Sequence, residues 1–165
     1  MKKKSGDLVR LVVVLPLLPL RLGDAFSLRD WPLHVTVAPT FVVGTELACV
    51  VEVVAHSLSA QPPLQVVAGA EEGFGHSMTI PVSVIEPNTA LTAVHLSLVA
   101  VLLDLGAVFD DPEFIGLSYR AHVTWTRAEQ VGTGDLLQLR QAAIVDMEPE
   151  GQARSRRVVW ANALG

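Results

Sequence analysis

The string His-Val-Thr stands twice in this chain, at His34–Thr36 and at His122–Thr124, 88 residues apart, each time within a short apolar run. Runs of this kind read as strands, in which successive side chains alternate between faces. His34 and Thr36 then share one face while Val35 and Val37 share the other. His122 and Thr124 stand in the same relation to Val123 and Trp125. Each strand carries an imidazole and a hydroxyl side by side on an otherwise apolar element. Such a pair is costly to bury unless it lines a cleft or finds partners.

A third match to the pattern supplies a control. His95-Leu96-Ser97-Leu98 lies inside a segment with helical periodicity. Residues two apart on a helix point about 200° from one another, so His95 and Ser97 do not converge. His95 therefore reads as a helix-surface or satisfied core histidine. His56 and His76, with no strand-paired hydroxyl, read as surface residues.

The helices follow from spacing. From Thr45, a candidate cap, Leu47, Val50, Val51, Val54 and Leu58 form one stripe, and Pro62 and Pro63 forbid continuation. A second helix spans about Asn88 to Leu105, with Leu91, Val94, Leu98, Val101, Leu102 and Leu105 as its buried stripe, Asn88 as its cap and Gly106 as its end. Strand-like segments fill the rest: Leu8–Leu15, Leu33–Val37, Leu64–Ala68, Met78–Val84, Tyr119–Thr126, Gln138–Met147 and Arg157–Ala163. The last two flank Glu148-Pro149-Glu150-Gly151, a turn that makes them a hairpin. The fold class is α+β with mainly antiparallel strands.

Composition excludes several classes. Half of the 165 residues are apolar and 18% are charged, which rules out disorder for the bulk of the chain. The formal charge of −5 leaves no broad basic footprint for duplex nucleic acid, although a single phosphate or a single-stranded end can still bind locally. Cys49 is the single cysteine, so neither a disulfide framework nor a thiolate zinc cluster is available, and a cytoplasmic location fits. Lys2, Lys3 and Lys4 before the run Leu11–Leu20 resemble the start of a signal peptide. Arg10 and Arg21 bracket that run, Pro16 and Pro19 interrupt it, and no small-residue cleavage site follows, so a buried strand is the preferred reading. The first seven residues are expected to be disordered. At ten residues the run is too short to span a bilayer, and no membrane partner is expected. Zinc-protease, P-loop and nucleophile-elbow motifs are absent from the sequence, and no cofactor or metal is expected.

The segments WPLHVTVAPTF (Trp31–Phe41) and LSYRAHVTWTR (Leu117–Arg127) resemble the paired H-x-T-x motifs of the two-histidine (2H) phosphoesterases, which include 2′-5′ RNA ligase-like proteins and cyclic nucleotide phosphodiesterases. Phe74-Gly75 and the closing segments Gly134–Gly151 and Arg156–Leu164 are also similar to that superfamily, so the likeness extends along nearly the whole chain. Ala121 stands where the family often has Pro. The resemblance implies one domain over residues 1–165, built as two pseudo-symmetric lobes of antiparallel sheet, each backed by a helix, facing each other across a central cleft. It implies a phosphodiesterase acting on 2′,3′-cyclic phosphates of nucleotides or RNA ends, or on 2′-5′ linkages.

The residues give the same chemistry a physical basis. Two imidazoles around one phosphate can serve as base and acid near neutral pH, either taking either role, with no metal required. Thr36 and Thr124 can donate to the non-bridging oxygens. Arg120 shares the strand parity of His122 and could reach a phosphate, although a solvated surface arginine fits at least as well, while Arg127 matches an arginine often found in the family but has the opposite parity. Phe41 and Phe74 are candidates to stack on a base, although aromatic residues in apolar surroundings are more often core. Tyr119 has the parity of Trp125, which favours packing. A non-catalytic module holding a nucleotide or RNA end is the alternative, and a monomer is compatible with both readings.

Overall fold

The computed structural model describes residues 7–165. The signal-like lysines Lys2, Lys3 and Lys4, and the disorder expected of residues 1–7 except at Asp7, lie outside the described residues. The chain runs through β1 (Val9–Pro16), β2 (Ala25–Ser27), β3 (His34–Val43), α1 (Leu47–Ser57), β4 (Leu64–Phe74), β5 (Ile80–Ile85), α2 (Thr89–Asp104), β6 (Val108–Phe109), β7 (His122–Thr124), β8 (Leu136–Leu139), β9 (Gln141–Asp146) and β10 (Ser155–Ala163). The strands follow the order β2-β10-β9-β1-β3-β7-β5-β4-β8, with β6 also on β3. Their pairings are antiparallel.

The expected α+β fold of antiparallel sheet and two helices forms, and its two lobes are continuous. Both halves run into one strand order, joined where β3 meets β7 with Val35 opposite Val123. An inner strand must satisfy its N–H and C=O groups on both sides, and each motif strand finds its missing neighbour in the other. The two helices pack on each other and share one core with strands from both halves.

A correction concerns residues 138–147, which break at Arg140 into two strands. β8 pairs with β4 at one end of the order, whereas β9 lies between β1 and β10. One intervening residue holds Leu139 and Gln141 within about 7 Å of each other. Strands so far apart in the order can be that close only if the sheet curls.

β1 explains the uninterrupted apolar run near the N-terminus. It lies between β3 and β9, and its two faces enter two different clusters. Leu11, Val13 and Leu15 join the main core with the helices, while Val12 and Val14 meet Leu20, Ala143, Val145 and Val158 on the other face. A strand covered on both sides loses the alternation of a half-exposed one. The hairpin across Pro149–Gly151 forms as expected, with β9 against β10.

The helices match their stripes in most positions. Asn88 caps α2, its side-chain oxygen accepting from Leu91 N–H at 2.9 Å, and Gly106 ends it at φ 90°. Thr45 does not cap α1: Glu46 takes the cap position, with no side-chain hydrogen bond, its carbonyl accepting from the Cys49 and Val50 amides. None of the described helices is long and apolar enough to cross a membrane.

Gly73 sits in β4 opposite Pro81, beside the close approach of Met78, where an added Cβ would stand 1.9 Å from the Met78 carbonyl oxygen. Gly73→Ala must therefore displace backbone. Overpacking of this kind costs about 1–3 kcal/mol. The expected outcome is a fall in Tm of several degrees, at about 2–4 °C per kcal/mol for a chain of this size, measured by thermal unfolding.

Candidate active site

The pairing of Val35 with Val123 fixes the relation of the two motifs. In an antiparallel pair, the positions flanking this register place His34 across from Thr124 and Thr36 across from His122. Val35, Val37 and Val123 are fully buried in the main core, so the four polar side chains share the opposite, helix-free face. The two histidines occupy diagonal corners of the array, where same-face Cβ atoms stand roughly 7 Å apart. The motifs therefore lie side by side on neighbouring strands of one sheet.

The histidines are held in the same way. His34 Nδ1 donates to the Pro32 carbonyl at 2.7 Å, and His122 Nδ1 donates to the Arg120 carbonyl at 2.8 Å. A carbonyl can only accept, so Nδ1 carries the hydrogen in both rings and Nε2 is the nitrogen left with a lone pair. Each ring also rests on an aromatic side chain backed by an arginine. Trp31 lies 4.1 Å from His34 with the Arg156 guanidinium 5.8 Å from the indole, and Phe74 lies 4.6 Å from His122 with Arg120 5.4 Å from the phenyl ring. Arg156 is buried and anchored by the Met147, Ala153 and Ser155 carbonyls, whereas Arg120 is exposed and paired with Glu72 at 2.6 Å.

His95 differs from both. It is fully buried, its Nδ1 donates to the Val37 carbonyl at 2.8 Å, and its Nε2 accepts from the Gly116 amide at 2.9 Å. Both ring nitrogens are consumed, so it is the satisfied core histidine of the two readings offered. Tyr119 stacks on it at 3.8 Å and donates its hydroxyl to the Thr36 carbonyl at 2.6 Å. Burial pushes the Tyr119 phenol well above its ordinary value, which keeps this donor protonated. Tyr119 thereby ties the approach to the second motif onto the backbone of the first. Its strand parity gave packing but not this bond. His56 and His76 are exposed, as expected.

The other candidates divide. A cleft of about 350 Å³ is lined by His34, Thr124, Trp31, Trp125, Arg29 and Arg127. Arg127 reaches it despite its parity because alternation ends at a turn: the Thr126 amide donates to the Glu129 carbonyl, and the Glu129 amide to Thr126 Oγ1. Trp125 turns its indole N–H onto the buried Ser83 hydroxyl at 2.7 Å, a link that nothing in the sequence signalled. Phe74 lies at the site against His122. Phe41 does not: it is fully buried against Phe109, so stacking on a base is ruled out for it. Its parity in β3, the same as Val35 and Val37, is the signal that places it in the core. Sequence reasoning singles out neither Arg29 and Trp31, which line this cleft, nor Arg156, which lies over Trp31, although Trp31 stands in the first motif segment. Among the described residues, no group of three or more His, Cys, Asp and Glu is placed to hold a metal ion.

Burial pushes the His34 imidazole down to about 4; the Pro32 hydrogen bond opposes this, and the neighbouring His122 adds to it. Burial also lowers His122, and Arg120 contributes in the same direction while its carbonyl bond opposes. The unfolded chain, with histidine near 6.5, binds more protons than the folded one between about pH 4 and 6.5. The folded state is therefore favoured above that window and loses stability as pH falls through it, by roughly 2–4 kcal/mol at pH 4 from His34. His34→Asn keeps an amide donor for the Pro32 carbonyl but does not titrate. Its urea midpoint should fall less steeply than wild type between pH 6.5 and 4.5, and equal slopes would contradict the assignment.

Comparison with known proteins accords with this geometry. The family model described as the 2′-5′ RNA ligase superfamily matches residues 19–156. No curated protein sequence matches. Among solved structures, the crystal structure of a phosphoesterase aligns with a TM-score of 0.59 at 14% identity, covering 96% of this chain and 99% of its own. Escherichia coli LigT complexed with 3′-AMP aligns with a TM-score of 0.58 at 14% identity, covering 96% and 99% respectively. A Thermus thermophilus protein aligns with a TM-score of 0.54 at 15% identity, covering 94% and 97%. At these identities the structural likenesses establish the fold.

Proposed function

This chain belongs to the 2′-5′ RNA ligase superfamily, and on that footing we propose that it hydrolyses phosphodiesters, opening the 2′,3′-cyclic phosphate of a nucleotide or RNA end by paired histidine catalysis. The observation that carries the reading is the diagonal array of His34, Thr124, His122 and Thr36 on one face, with both Nδ1 atoms committed to carbonyls. In-line displacement needs the entering and leaving oxygens on opposite sides of phosphorus, and diagonal imidazoles meet that requirement. One Nε2 takes a proton from water as its oxygen bonds to phosphorus. The other gives a proton to the ribose oxygen as the P–O bond breaks. Thr36 and Thr124 donate to the non-bridging oxygens, where charge builds.

The remaining roles follow. Arg127 contacts the substrate from the cleft wall, and Phe74 flanks the His122 side. Arg120, tied to Glu72, steadies Phe74. The single-domain expectation is kept as part of this reading, since each half supplies one motif. The 3′-AMP bound by LigT is a nucleoside monophosphate of the kind that this reaction releases.

The test is turnover of 2′,3′-cyclic nucleotides, cyclic-phosphate RNA and short 2′-5′ oligomers by purified protein in EDTA. His34→Ala and His122→Ala should each lose about 10²–10⁴-fold in activity, and the double variant far less than the product of the two. Thr36→Val and Thr124→Val should lower kcat more than they raise KM. Binding without turnover would favour a nucleotide-holding module, and loss of turnover in EDTA would overturn the metal-free mechanism.

Activity should also follow pH in a defined direction. Burial lowers both imidazoles in the free protein, so the acid must acquire its proton below the ordinary histidine range. kcat/KM should therefore fall as pH rises from about 6 to 8. A profile that rises over this interval would contradict the assignment.

A further inference from the structure

The two sides of the phosphate seat differ in free charge. On the His122 side, Arg120 is neutralised by Glu72. On the His34 side, Arg29 and Arg127 both line the cleft that holds His34 and Thr124. The ion pairs among the described residues engage Arg10, Arg120 and Arg157 and include neither of these two. Both are exposed, on a chain whose formal charge is −5. Two guanidinium groups outside these ion pairs, on segments 98 residues apart, line one cleft of an otherwise acidic protein and concentrate positive charge there. The reacting phosphate already has Thr36 and Thr124 as donors, so these cations are available to a different group.

We propose that Arg29 and Arg127 form a subsite for a second phosphate of the substrate, one carried on the His34 side of the phosphate that reacts. The preferred substrate class is then a nucleotide or RNA end bearing a further phosphate beyond the cyclic one, in preference to a 5′-hydroxyl cyclic mononucleotide. Arg127 stands near the second motif, whereas Arg29 lies outside both motifs and is the residue that makes the subsite a pair. The flanking indoles of Trp31 and Trp125 give the cleft apolar walls for the sugar that connects the two phosphates and for the base it carries. This inference rests on the proposed function for its catalytic arm, but its binding arm does not.

The experiment compares adenosine 2′,3′-cyclic phosphate with a 5′-hydroxyl against the same compound with a 5′-phosphate. Wild type should favour the second by about tenfold in kcat/KM, the scale of one charge-assisted contact at an exposed site. Arg29→Ala should bring that ratio to within about twofold, and Arg29→Lys should retain part of it. Equal kcat/KM for the two substrates in wild type, or a loss in Arg29→Ala that is the same for both, would overturn the subsite and leave the proposed reaction standing. If neither compound turns over, the proposed reaction fails and calorimetry decides the subsite. Adenosine 3′,5′-bisphosphate should then bind wild type about tenfold tighter than 3′-AMP, with the difference lost in Arg29→Ala. Equal affinities would sink the proposal. Unfolding curves of the variants confirm that the fold is intact.

Discussion

The contact between Val35 and Val123 is the joint on which the molecule depends. β3 and β7 meet there, and each is flanked on its other side by strands of its own half. Placing two core valines opposite each other commits their neighbours to the other face, because strand side chains alternate. One apolar pairing thus joins the two parts of the sheet, completes the core beneath it and assembles two imidazoles and two hydroxyls above it. A shift of one residue in that register would turn the polar face into the core.

Around this joint the two histidines have mirrored surroundings that differ in depth. Both use Nδ1 on the carbonyl two residues earlier, and both rest on an aromatic ring with an arginine behind it. The arginine behind Trp31 is buried and fixed by carbonyls, whereas the one behind Phe74 is exposed and paired with Glu72. Equivalent geometry in unequal environments is a basis for giving two identical side chains different proton affinities. His95 and Tyr119 add a brace between α2, the segment leading to the second motif and the Thr36 backbone, so the two motifs are linked by a hydrogen bond as well as by strand pairing.

Much of this was legible in the chain. The alternation around each His-Val-Thr gave the polar face, the helical stripes gave α1 and α2, and the proline-containing turn gave the closing hairpin. The failures came where alternation stopped or where a neighbour was remote. Arg127 reaches the cleft because the chain turns at Thr126, and Trp31 matters because the fold brings it against His34 at the start of β3. Phe41 shows the converse: offered as a stacking candidate, it shares the parity of Val35 and Val37 in β3 and lies in the core.

By itself the sequence determined which residues are polar on which face of each strand, because the period of two is a local property of extended backbone. It determined the two helices and the caps that asparagine and glycine supply, for the same local reason. Tertiary structure decided that the motif strands are neighbours, that residues 136–146 break at Arg140 into strands far apart in the order, and that Arg29 and Arg127 come together. Those outcomes depend on which strand edges find partners and on how the sheet curls over its core. They are sums over contacts between distant segments, and a local pattern does not encode them.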